Sequence, residues 1–353
     1  PSLIPIENLP VALICLVVSI AVIVKGGDVF VSAASWMAEV SGVPKLIVGA
    51  TIVSLATTLP EMLVSAFSAA SARATGDAAY IDMAIGNAVG SVTANTGLIL
   101  AIALMFMAGA IRRRDYLLKS CLFIGAGAVI AAFGATGKIG LVPSLLLLAV
   151  FAAAMTENVV GAVRQVRAAK AQANGETPAA EDAPALDLEK PQATGKLWLK
   201  NVLLFLLGAA AIGVGANVLV NSAEYVAKAA HVPERVIAVT ILAVGTSLPE
   251  LVTTVAAVVK REMSLSAGNI IGANIIDMTL IMPICNLVSG KALPVTKQVG
   301  RIDLPVVLIV ALLALIPALL KRRFMKWQGF ALLGVYVAYL ILTCFFGEQI
   351  AAL

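Results

Sequence analysis

The sequence predicts an all-α integral membrane protein of ten transmembrane helices, arranged as two five-helix repeats of inverted topology. Three observations carry that prediction. Hydrophobic residues make up 60% of the 353-residue chain and charged residues only 13%, against roughly a quarter charged in soluble domains. Apolar runs of about twenty residues, each enough to cross a bilayer as a helix, recur from end to end. One glutamate-bearing motif also occurs twice, in halves separated by an odd number of spans. The composition excludes soluble folds, and a transmembrane barrel would show short alternating segments instead.

In chain order, the spans are expected near 9–38, 46–72, 82–108, 116–136 and 140–163, then 198–229, 235–259, 265–289, 302–320 and 327–346. The first five make one unit, 1–163, and the last five another, 198–353. Between them, 164–197 is rich in alanine, proline, glycine and charge, and reads as a flexible linker too short and polar for a regulatory domain. Basic clusters follow the third, fifth, seventh and ninth spans: Arg112 to Arg114; Arg164, Arg167 and Lys170; Lys260 and Arg261; Lys321 to Arg323. The positive-inside rule then puts both termini outside and the linker in the cytoplasm of a cell-membrane protein. Trp36, Trp198 and Trp327 fall at the same cytoplasmic face, as interfacial anchors do. The net charge of +5 is explained by these loops and calls for no nucleic-acid partner. Cys15, Cys121, Cys285 and Cys344 lie scattered in apolar stretches without metal spacing and read as packing residues.

The repeat is visible residue by residue. The stretch 26–61, ending in LATTLPE, aligns without a gap on 215–250, ending in AVGTSLPE, with about a third of the positions identical. Matched pairs include Gly26 with Gly215, Pro44 with Pro233, Thr57 with Thr246, Pro60 with Pro249 and Glu61 with Glu250. A second block follows in each half, GNAVGSVTAN at 86–95 and GNIIGANIID at 268–277. Five spans per half force the second copy to enter the membrane from the opposite side. Inverted repeats of this kind place a binding site at the midplane between the copies.

The chemistry of the two blocks points to a cation. A proline inside a helix removes one hydrogen bond and displaces the carbonyl about four residues earlier. Here that loosens the carbonyls around Ser54 to Thr57 and Ala243 to Thr246, and bare carbonyls in a membrane are tolerated only where a cavity or an ion receives them. Thr57 and Glu61 share a helix face, as do Thr246 and Glu250, Ser91 and Asn95, and Ala273 and Asp277. The glycine pairs Gly86 with Gly90 and Gly268 with Gly272 let helices approach closely. All candidate ligands are oxygens, a set suited to hard cations such as calcium and sodium rather than zinc or copper. Other polar residues have plainer roles. Asn87 and Asn269 are read as bonding helix backbones, His231 as a loop residue, and Lys25 with Asp28 as an internal ion pair or a snorkelling lysine.

These duplicated motifs, GTSLPE with GNIIGANIID, resemble the alpha-repeats of the sodium/calcium exchangers of the cation/calcium exchanger superfamily, and the nearest match in kind is the short prokaryotic type. The resemblance covers nearly the whole chain, with the two motifs at 49–100 and 238–283. It implies central ligands Glu61, Glu250, Asn95 and Asp277. It implies supporting hydroxyls from Thr57, Thr58, Ser91, Thr246 and Ser247, and carbonyls from Ser54 and Ala243. It further implies that sodium or calcium occupies the cluster in alternation, and that spans one and six slide across the remaining bundle. No cofactor and no regulatory calcium-binding domain is implied; the partners are the two ions and the lipid bilayer. The chain departs from the family pattern where Gly-Ser-Asn is usual: it has Gly90-Ser91-Val92 and Gly272-Ala273-Asn274. Ala273 thereby removes a hydroxyl from a sodium site.

The expected activity is therefore secondary antiport, sodium entering to expel calcium. Three carboxylates balance three sodium ions, which permits three-for-one exchange. Proton/calcium antiport through the same carboxylates is the alternative, although the Gly-Asn-Ala-Thr-Glu-like block of proton-coupled relatives is absent. A passive cation channel ranks lower, since paired broken helices in inverted repeats favour alternating access. An enzyme is not expected, because the carboxylates accompany no nucleophile motif. Oligomeric state leaves no trace in the sequence.

Overall fold

The computed structural model describes residues 8–43, 45–111, 113–173, 194–230, 245 and 247–346. Its helices are α1 (Leu9–Ser41), α2 (Lys45–Val48), α3 (Ser54–Thr75), α4 (Ala79–Ala94), α5 (Ala101–Phe106), α6 (Arg113–Gly134) and α7 (Leu141–Ala173). The second half supplies α8 (Gly195–Ala229), α9 (Leu248–Val259), α10 (Met263–Ile276), α11 (Met282–Ser289), α12 (Leu304–Lys321) and α13 (Lys326–Ile341). Among the described residues, seven helical runs are long and apolar enough to cross a bilayer, and Lys45–Leu59 with Glu61–Thr75, bent by 45°, makes an eighth. The other two expected spans fall on α9, much of whose approach lies outside the described residues, and on α13 with the π-helical turn Leu342–Phe346 that continues it.

Helix runs into the stretch expected as a linker from both sides. α7 continues to Ala173, well past 163, and α8 begins at Gly195. The sequence RQVRAAKAQA explains the first extension, because alanine, arginine, lysine and glutamine are strong helix formers. Residues 174–193 lie outside the described residues.

α1 starts where the Asn8 side chain accepts a hydrogen bond from the Val11 N–H at 3.0 Å, satisfying one of the free donors of the first turn. It stops at Gly42, whose φ of 69° is left-handed and suits glycine. α1 packs lengthwise on α8 through missing side chains: a Cβ on Gly208 would lie 2.8 Å from the Phe30 nitrogen, and one on Gly26 2.9 Å from the Ala211 Cβ. Phe30 stacks on Phe205 at 4.4 Å, and Trp36 meets Trp198 edge-on at 5.5 Å. The outward faces of both helices are apolar and exposed, as at Ile14, Val17, Leu206 and Leu207, which fits contact with lipid.

α10 lies at the centre; every residue from Leu265 to Ile276 is buried. A helix apolar on nearly every side belongs in the core of a bundle. The run from α2 to α3 crosses it backbone to backbone. Gly49 lies against the Leu265 carbonyl and Gly268 against the Leu46 carbonyl, while a Cβ on Gly272 would sit 2.6 Å from both Ala50 Cα and Ser54 Oγ. Gly86 and Gly90 meet no described atom within 4 Å of a Cβ position.

The loops pair by face. Lys45, after α1, bonds Glu39 at 2.9 Å and Glu262, after α9, at 2.5 Å. The Ile111 N–H, after α5, donates to the Arg322 carbonyl after α12 at 2.9 Å. At the other face, the two-residue strands β1 (Lys138–Ile139) and β2 (Leu293–Pro294) pair antiparallel, Lys138 opposite Pro294. Loops after odd spans thus meet one another, and so do two loops after even spans. The Asp28 carboxylate bonds Lys260 at 2.5 Å, and Lys25 also acts on it electrostatically. Sequence proximity had favoured Lys25, but the end of α9 brings the longer-range partner closer.

Candidate functional site

Three π-helical turns shape the site. One, Gly49–Val53, joins α2 to α3; a second, Asn95–Leu100, follows α4; a third, Asp277–Ile281, follows α10. The last two begin on matched residues of the two sequence blocks. A π turn inserts one extra residue per turn, breaks the regular bonding ladder and re-aims the side chains at that point. The last two turns therefore open on an expected ligand where the helix is locally loosened, and the first ends immediately before Ser54. Pro60 adds the 45° bend between Lys45–Leu59 and Glu61–Thr75, and Pro249 sits in the first turn of α9, two residues after Ser247. There the missing proline N–H costs nothing, since first-turn donors have no helical partner.

These elements bury nine of the eleven expected ligands. Glu61, Glu250, Asp277, Asn95, Ser91, Ser54, Thr57, Thr58 and Ser247 are all nearly or completely buried. Thr246 and Ala243 lie outside the described residues. The Glu61 carboxylate faces those of Glu250 and Asp277 closely enough for each to act on it electrostatically. Thr58 donates to Glu250 Oε1 at 3.4 Å, and Asn95 Nδ2 donates to Asp277 Oδ2 at 3.4 Å. The Thr57 hydroxyl lies 3.2 Å from the Ser54 carbonyl and 3.4 Å from Asn269 Oδ1, either of which can accept its proton.

Most of the remaining site oxygens have no donor among the described residues. These are both oxygens of Glu61, Glu250 Oε2, Asp277 Oδ1, Asn95 Oδ1, Ser91 Oγ and Ser247 Oγ. An uncompensated buried carboxylate costs several kcal/mol or more, which natural folds avoid by pairing it or placing it on a metal. Orphaned oxygens converging from four chain segments fit a cation as the missing partner. Among the described residues no group of three or more His, Cys, Asp or Glu side chains closes on one point. A cation here would therefore draw on amide, hydroxyl and carbonyl oxygens as well as carboxylates.

A polar shell holds the ligands in place. Asn87 donates to the Glu61 carbonyl at 3.1 Å and to Ser65 Oγ at 2.9 Å, the backbone role expected of it. Asn269 instead bonds side chains: it donates to Thr253 Oγ1 at 3.0 Å, and Thr253 in turn donates to the Glu250 carbonyl at 3.1 Å. Asn274, in the last turn of α10, donates to Thr96 Oγ1 at 2.8 Å, tying α10 to the π turn Asn95–Leu100. Thr253 and Thr96 were not anticipated, although each is a polar residue beside a ligand in an apolar span. Ala273 is fully buried and offers only its methyl group where the other block has Ser91.

The family model for the sodium/calcium exchanger protein matches residues 11–159 and 200–345. The chain belongs to this family. The curated relative sodium/calcium exchanger MaX1 of Methanosarcina acetivorans is 28% identical to this exchanger-family chain, over 92% of the chain and 96% of the relative. Inner membrane protein YrbG of Escherichia coli is 30% identical, over 78% and 79% respectively. A solved structure of the sodium-calcium exchanger NCX_Mj superposes with a TM-score of 0.74 at 22% identity, covering 94% of this chain and 98% of that one. That likeness confirms the exchanger fold expected from the repeats, and family membership makes the protein a membrane transporter rather than an enzyme.

Proposed function

We propose that the protein exchanges sodium for calcium across a cell membrane by alternating access, with both ions competing for the carboxylate cluster of Glu61, Glu250 and Asp277. One observation carries the reading: the buried Glu61 carboxylate lies within electrostatic reach of Glu250 and Asp277, and all three carry oxygens with no donor among the described residues. Both MaX1 and NCX_Mj are named as sodium/calcium exchangers, which supports the choice of ions.

The proposed ligand set is Glu61, Glu250, Asp277, Asn95, Ser91, Ser54, Thr57, Thr58, Ser247, Thr246 and Ala243. Charge explains the coupling. Three mutually repelling carboxylates need cations to be held together, and three sodium ions neutralise them. One calcium leaves a residual negative charge, so the two loadings differ in net charge and cannot coexist on shared oxygens. Asn95 contributes an amide rather than a fourth carboxylate, which keeps that balance.

The proposed moving part is α1 with α8. They pack on each other along their length, and α1 touches the core where a Cβ on Gly27 would meet Val252. The five-plus-five division at 1–163 and 198–353, with the linker cytoplasmic and both termini outside, is part of the same proposal. The pairing of odd loops at one face and even loops at the other supports it. The name of the Escherichia coli relative supports an inner-membrane location.

Calcium flux in proteoliposomes under separately imposed sodium, potassium and proton gradients tests this reading. Calcium movement driven by the sodium gradient alone is expected. Movement driven by protons alone would replace it with proton/calcium antiport, and flux that needs no counter-ion would replace it with a channel.

A further inference from the structure

A second buried polar cluster lies between α6 and α7, away from the carboxylates. The Lys119 ammonium, 2% exposed, bonds both Glu157 Oε2 and Asn158 Oδ1. Such groups in membrane spans are costly and demand a reason. Asn158 has a further contact: its Nδ2 donates to the Ala50 carbonyl at 3.3 Å. Ala50 belongs to the π turn Gly49–Val53. In an α-helix the Ser54 N–H would bond the Ala50 carbonyl. Here it donates to Gly49 and Thr51 instead, so the Asn158 amide takes over a carbonyl that Ser54 has left.

That carbonyl is next to the ion site. The Ala50 backbone lies against Gly272, one residue before Ala273, and Ser54 Oγ lies against the same glycine. Three further residues along are Thr57 and Thr58. The extra residue of the π turn sets the rotation of everything after it, and reversion to α-helical bonding would turn Ser54, Thr57, Thr58 and Glu61 by about 100° relative to α2. Gly161, one turn along α7 from Asn158, packs on Ile47 and keeps α7 on this segment, 3.4 Å from a Cβ position.

We infer that Asn158, whose carbonyl oxygen accepts from Lys119, is a positioning residue for ion exchange: its amide stabilises the π turn at Gly49–Val53 and thereby aims the first repeat's ligands. The inference rests on the ion-site reading above. It separates the cluster into two parts with different consequences. The amide donor of Asn158 acts on the site, whereas Glu157 acts only on the lysine.

The test compares Asn158→Asp with Glu157→Gln in proteoliposomes, titrating sodium against calcium efflux. Asn158→Asp keeps an acceptor for Lys119 and removes the donor to Ala50; Asn158→Ala removes both and serves if the aspartate variant does not fold. The expected result is a rise in the half-maximal sodium concentration of about threefold or more, the worth of one hydrogen bond, with a smaller change in maximal rate. Glu157→Gln is expected to leave the half-maximal concentration unchanged. Folded Asn158 variants with the wild-type half-point, or with only a lower maximal rate, would overturn the inference. Glu61→Gln is measured alongside: transport surviving in that variant defeats the ion-site reading itself, whereas loss there with an unshifted Asn158 variant defeats only the positioning role.

Discussion

The matched segments Ala79–Leu100 and Met263–Ile281 are the same fold with different chemistry. Each is a buried helix that opens into a π turn on its last ligand residue, Asn95 in one and Asp277 in the other. Yet one ends in an amide and the other in an acid. One carries the Ser91 hydroxyl a turn earlier, where the other carries the Ala273 methyl. Duplication has preserved the backbone break, which makes an ion site possible, and has let the side chains diverge, which decides the ions it takes. The break is symmetric because a cavity between inverted repeats needs both halves. On the proposed three-for-one exchange, an amide at one position leaves three carboxylates for three monovalent ions to balance.

The symmetric part of this comparison predicts the largest effect. Glu61→Gln and Glu250→Gln each remove a carboxylate from matched helices, and each is expected to abolish calcium transport in a folded protein, as flux into proteoliposomes will show. Wild-type transport in either variant removes that glutamate from the site. The asymmetric pair comes next. Asp277→Asn makes the second block match the first and is expected to weaken calcium binding by on the order of tenfold or more, the loss of a charged contact. Asn95→Asp makes the first match the second; it favours calcium over sodium, since a divalent ion gains twice as much from an added charge. Calcium titrations with and without sodium check both, and equal effects on the two ions would contradict the charge argument.

The third prediction concerns packing. Gly272→Ala places a methyl group 2.6 Å from Ala50 Cα, a backbone atom that cannot swing aside. It is expected to cost about 1–3 kcal/mol of stability, measurable as a lowered melting temperature in detergent. The smallest effect belongs to Ala273→Ser, which restores to the second block the hydroxyl that Ser91 gives the first. It is expected to lower the half-maximal sodium concentration by a few-fold, about 1 kcal/mol, and to move calcium less. An unchanged sodium half-point with an ordered serine would place position 273 outside the ion site.

Much of this was legible in the sequence, and the reasons are physical. Hydropathy located the spans because lipid tolerates few charges, and the gapless repeat pointed to the buried glutamates of the proposed site because ionisable groups in a membrane are expensive and stand out. The π turns at Gly49, Asn95 and Asp277 were not legible. No proline lies within them, and they are stabilised by tertiary contacts such as Asn158 to Ala50 and Asn274 to Thr96. The partner of Asp28 was missed for a similar reason, since Lys260 is distant in sequence and adjacent only after α9 packs on α1. Lys119 and Glu157 gave a signal as charged residues inside expected spans, but only the structure joins them to the π turn.

Calcium binding to the purified protein, measured while sodium is titrated in at constant ionic strength, tests most directly whether the two ions share one carboxylate cluster. Sodium is expected to displace calcium completely, with potassium ineffective and with neither ion bound appreciably by Glu250→Gln. Calcium that stays bound at saturating sodium would contradict a shared site.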